Sequence, residues 1–181
     1  DPQNPDQYIF PAFSSVPAKG YLVVFADNPN ATPCYHLGFN LGQQGDAVYL
    51  FDSASQSGVL LDSVEFGLQL TDLYIGRVAD GSWALTQPTL GAPNRAAQTG
   101  DPRALHINEW LALGTTPFDS DFIELYNGDA LPVALGGLFL TDELIGWPDR
   151  HGIAPLTFMK GLGYQRFVAD GVERVLHRQQ R

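Results

Sequence analysis

The chain has 181 residues, is 44% apolar and 12% aromatic, and carries a formal net charge of -10 from 10 basic and 20 acidic residues. That is enough apolar material for one large or two small cores, while the sign of the charge argues against nucleic-acid binding, which relies on Lys and Arg at phosphates, and most simply serves solubility. No apolar run reaches the roughly 18 residues of a membrane span, and Cys34 stands alone, excluding an intrachain disulfide and a cysteine-rich zinc site.

No basic-then-apolar leader opens the chain, which begins at Asp1 and reads as a mature form or a fragment. Residues 1–7 are polar and turn-like. Tyr8-Ile9-Phe10-Pro11 reads as a short strand stopped by a proline that cannot donate to a central ladder. Lys19-Gly20 is a turn. Residues 21–26 form a short apolar run rich in β-branched and aromatic side chains, which reads as a buried strand. The loop after it holds an Asn30-Ala31-Thr32 sequon, which only a eukaryotic secretory route would use. Residues 37–41 and 47–51 read as strands joined through Gly42 and Gly45 as a hairpin. Residues 59–66 and 74–77 are further strands, a turn at 80–82 leads into Trp83, and Pro88-Thr89-Leu90-Gly91-Ala92-Pro93-Asn94 closes the unit.

A polar linker is expected at 95–104. Residues 105–111 and 122–126 are strands, with Ile123 and Leu125 facing one way and Phe122, Glu124 and Tyr126 the other. Residues 133–141 read as a strand bent at Gly136-Gly137. A polar loop at 142–151 carries Trp147, residues 163–170 are a strand, and 172–181 is a basic tail, frayed or disordered.

Two stretches echo each other at a constant spacing of 143 residues: Gly20-Tyr21…Ala26-Asp27 and Gly163-Tyr164…Ala169-Asp170. Tandem copies of one domain produce such an echo. Ile107-Asn108-Glu109, Phe122-Ile123-Glu124-Leu125-Tyr126-Asn127 and Leu135-Gly136-Gly137-Leu138-Phe139-Leu140-Thr141-Asp142 resemble the first half of a lamin tail domain of bacterial type, with Leu138 or Phe139 in place of its usual Trp. Tyr8-Ile9-Phe10-Pro11, residues 19–24, 36–41, 45–52 and the closing Pro-Thr-Leu-Gly-Ala-Pro-Asn are similar to its second half. The resemblance implies an all-β, immunoglobulin-like β-sandwich. Residues 1–94 would be the C-terminal part of one repeat, and 105–171 the N-terminal part of the next. The expectation is that 105–141 packs on 8–94 as a circularly permuted sandwich, within one chain or between neighbours as a strand-exchanged homodimer.

Candidate sites are sparse. Asp119, Asp121, Glu124, Asn127 and Asp129 put five oxygen-bearing side chains within eleven residues. Calcium takes six to eight oxygens, but the spacing is not that of an EF-hand loop, so solvated acids and a turn-forming Asn are favoured over a metal site. Glu109 and Glu124 form a candidate carboxylate pair on neighbouring strands; the resemblance implies that Glu124 is a structural acid. His36, His106, His151 and His177 show no metal-ligand spacing, and no Gly-x-Ser-x-Gly elbow is present. Trp110 is expected in the core, and Trp147, between Gly146 and Pro148, at the surface. No catalytic, cofactor or metal residue is therefore assigned. The resemblance implies a non-enzymatic binding or scaffolding module of a larger, exported bacterial protein, secreted or at the cell surface, with a protein or cell-surface partner. A carbohydrate-binding module, a calcium-dependent adhesive module and an accessory domain of a surface hydrolase are the alternatives.

Overall fold

A computed structural model describes residues 6–27, 35–52, 58–114 and 120–169. The chain is all-β and sandwich-like, built of short strands in several antiparallel sheets. It divides into two compact units, Asp1–Thr99 with Ala134–Phe158, and Gly100–Val133 with Met159–Arg181. The Asn30 sequon, Cys34, Asp119 and the basic tail lie outside the described residues.

In the first unit, β1 (Asp46–Phe51) pairs with β2 (Leu60–Phe66), and Asp46 stands opposite Phe66. A three-stranded sheet is ordered β3 (Tyr74–Arg77), β4 (Trp83–Gln87), β5 (Arg95–Ala96). The central strand is the one that buries side chains, Leu85 and Thr86, because both of its edges are paired. Asn94 ends the closing Pro-rich run. Its Nδ2 donates to the Arg77 carbonyl at 2.8 Å, and its amide lies where a Cβ on Gly76 would sit, 2.7 Å away. The run thus closes the sheet through one glycine and one amide. Phe66, Leu135, Ile153 and Phe158 complete this core. β9 (Phe139–Leu140) pairs with β10 (His151–Gly152). β8 (Val133–Ala134) pairs with β11 (Phe158–Met159).

The second unit is a three-stranded sheet with β7 (Phe122–Asn127) between β6 (Leu105–Leu111) and β12 (Tyr164–Val168). The Ile123/Leu125 face turns inward as the alternation requires, and Leu125 is buried. The β6–β7 register shifts between Ile107 and Glu109, a bulge that places Ile107 opposite Leu125 and Trp110 opposite Ile123.

Five expectations are corrected. Residues 8–11 form no strand, and residues 21–26 make, among the described residues, a single parallel bridge, Phe25 to His36; both have strand-like sequences but no ladder there, and a strand exists only with a partner. Residues 37–41 form no strand either: Gly38 at φ 73° breaks the extended run, so β1 takes β2 as its hairpin partner. The linker is partly structured, with β5 at its start and a 3-10 turn at Pro102–Ala104. Asp101 caps that turn and Pro102 opens it. Residues 133–141 split into two short strands, because Gly137 at φ 85° turns the chain between them.

Candidate functional site

The acids flanking β7 are bound to local donors. Asp121 Oδ1 accepts the N–H groups of Leu113 at 2.7 Å and Gly114 at 3.3 Å, pinning a turn in which Leu113 adopts φ 89°. Glu124 accepts from Asn108 Nδ2 at 2.7 Å. Asp129 accepts the N–H groups of Leu131 at 2.9 Å and Asp101 at 3.2 Å; the Leu131 bond first, then the Asp101 bond, holds its carboxyl below the usual carboxylate value. Asn127 is fully buried. Its Nδ2 donates to the carbonyls of Leu131 at 3.0 Å and Lys160 at 3.1 Å, and its Oδ1 accepts from Asp129 N–H at 2.9 Å. Among the described residues no group of three or more His, Cys, Asp or Glu side chains is placed to hold a metal ion.

Glu109 and Glu124 are direct register partners on β6 and β7. His106 is exposed on β6, while His36 is hydrogen-bonded to Asp27 at 2.7 Å and stacked on Phe25. Among the histidines, His177 falls outside the described residues.

The aromatics divide. Trp83 is half-buried beneath the Arg77 guanidinium, 4.6 Å from its ring centre. Trp110 was expected in the core and is 71% exposed, with Ile107 at 63%. The bulge keeps both on the inward face, but β6 is the outer strand of its sheet, so that face runs out beneath them. Trp147 is exposed, as expected, on a loop held at its base. Thr141 Oγ1 donates to the Trp147 carbonyl at 2.8 Å, and Arg150 pairs with Asp142 at 2.6 Å while lying 5.6 Å from the Trp147 ring centre. The pairing with Arg150, by hydrogen bond and then by charge, lowers the Asp142 carboxyl below its usual value. Leu144 and Ile145 project from the same loop, 82% and 96% exposed.

A groove of about 790 Å³ in the first unit is lined by Trp83, Leu85, Phe139, Ile153, Leu156 and Phe158, with Thr99 and Thr157 the polar groups. It offers apolar contact rather than proton transfer. No family model, curated protein or solved structure matches the chain. Sequence reasoning found Trp147 but missed Leu144 and Ile145. The signal was present: two adjacent aliphatics inside an otherwise polar loop, with no hydrophobic period to take them inward.

Proposed function

We propose that this chain is a binding or scaffolding module of a larger exported protein, acting through loops and sheet edges rather than by catalysis. The observation that carries the reading is the loop at 142–150. Leu144, Ile145 and Trp147 stand in solvent while Thr141, Asp142 and Arg150 fix the loop's base. Apolar side chains carried on a loop whose base is tied together suit a protein contact, since less backbone ordering remains to be lost on binding. Aliphatic neighbours, and an arginine over Trp147, favour a protein over a sugar, which stacks on open aromatic faces. The lamin-tail resemblance of residues 105–142 supports the same role.

A photo-cross-linking residue at Ile145, with a control at exposed Asp80, tests the reading in an extracellular fraction of the source organism. One dominant protein adduct is expected at Ile145, competed by unlabelled chain and lost with Trp147→Ala. Equal adducts at both positions would sink the idea.

A further inference from the structure

The 143-residue echo extends to backbone conformation. Seven non-glycine residues among those described have positive φ, an uncommon state. Four of them form two pairs at the echo spacing: Phe13 (φ 67°) with Leu156 (φ 51°), and Lys19 (φ 56°) with Leu162 (φ 53°). The second pair sits in matching turns, with Gly20 N–H donating to Pro17 O at 2.8 Å and Gly163 N–H to Lys160 O at 3.1 Å. Residues 11–26 therefore repeat, turn for turn, residues 154–169. Their partners differ. The later copy supplies β11, which pairs with β8, and β12, which pairs with β7. The earlier copy has the Phe25–His36 bridge as its one ladder contact among the described residues, and Phe13, Val16, Tyr21 and Phe25 are exposed.

The bridge lies on the opposite edge from the one β12 uses. Phe25 donates to Tyr35 O at 2.8 Å and accepts from Leu37 N–H at 2.9 Å, so residue 25 points its backbone groups toward 35–37. Backbone groups alternate along an extended chain, so residues 20, 22, 24 and 26 point theirs the other way. The matching residues of the later copy are those that face β7: Gly163 O accepts from Asn127 N–H at 3.0 Å, and Ala169 N–H donates to Asp121 O at 2.8 Å.

We propose that residues 20–26 are an open acceptor edge for a β7-type strand of a second copy of this sequence, one not held by its own β12, added antiparallel in the register that β12 uses. The visiting strand's Asn127 then stands by Gly20, its Leu125 by Leu22, its Ile123 by Val24 and its Asp121 by Ala26. Main-chain bonds supply the affinity and alternate side chains the choice of partner, as in strand addition generally. Leu22 and Val24 replace Gln165 and Phe167 against the apolar face. Glu124, opposite Arg166 on β12, meets Val23 here, so a Glu124→Gln strand binds more tightly to this edge. This choice of partner rests on reading the chain as a binding module.

The test uses the full chain, isotope-labelled, and a synthetic peptide of residues 121–133. Binding slows exchange of the Leu22, Val24 and Ala26 amides by about tenfold or more, while the already bonded Phe25 amide changes little. N-methylation of the peptide at Leu125, whose N–H faces the acceptor, abolishes the effect; N-methylation at Glu124, facing away, preserves it. No protection at millimolar peptide, protection at β6 or β12 instead, or equal binding by both methylated peptides overturns the proposal. Each such failure leaves the Ile145 cross-linking result untouched, so the two readings are tested separately.

Discussion

The buried side-chain amide of Asn127 donates to the carbonyl oxygen of Lys160 at 3.1 Å, tying the turn after β7 to the turn before β12. The same nitrogen serves Leu131 O, and the amide oxygen takes Asp129 N–H. One residue thus satisfies two carbonyls and one N–H where a break would leave polar groups unpaired. Asn127→Ala is expected to cost about 2–3 kcal/mol, the penalty for orphaned buried groups. Asn127→Asp keeps the acceptor, removes the donor and is also destabilised. Urea unfolding reads both as a lower midpoint at unchanged slope. An Asn127→Ala midpoint equal to wild type would show that the amide is not holding the two turns.

Much of this was legible in the order of residues. The alternation in Phe-Ile-Glu-Leu-Tyr located β7 and separated its two faces; alternation and flanking turn residues located β2, β3, β6 and β12. Residues 8–11, 21–26 and 37–41 were misread as strands because composition reports what a segment would do beside a partner, not whether one is there. Trp110 was misplaced because its exposure depends on which strand forms the outer edge of the sheet. The acids around β7 were legible as a cluster, but their occupation by Leu113, Asp101 and Leu131 amides depends on turns distant in sequence.

Gly76 and Asn94 are coupled sterically. A Cβ at residue 76 would meet the Asn94 amide 2.7 Å away, so Gly76→Ala must expel that amide and its bond to Arg77 O. The cost expected is about 1–3 kcal/mol, typical of overpacking. In an Asn94→Ala background the space is already empty, and the second substitution costs less than it does alone. A double-mutant cycle by chemical unfolding checks this; strict additivity would contradict the contact.

Asp129 makes stability depend on acid. Its folded-state pKa lies below the ordinary value of 3.8 because the Leu131 and Asp101 N–H groups favour the ionised form. A depressed carboxylate pKa gives a contribution fully present above the unfolded value and lost as pH falls through the folded one. Asp129→Asn is therefore less stable than wild type at neutral pH, and the two stability curves converge below the ordinary carboxylate range. Thermal unfolding from pH 7 down to pH 2 follows the convergence. A constant gap across that range would mean that the carboxylate charge contributes nothing.

Trp110 and Leu125 share the inward-facing side of one sheet, yet 71% of Trp110 is exposed while Leu125 is buried. Burial, not chemical type, sets what each side chain contributes to stability. Leu125→Ala is expected to cost about 2–5 kcal/mol, the loss for a truncated core leucine. Trp110→Lys is expected to stay within about 0.5 kcal/mol of wild type, since it removes no internal contact of consequence. If Trp110→Lys instead proves as damaging as Leu125→Ala, the indole must be covered in solution by something outside a single chain. Light scattering across a concentration range then separates the cases: a wild-type mass that rises with concentration, and a variant mass that does not, would identify the cover as another copy of the chain pairing along β6.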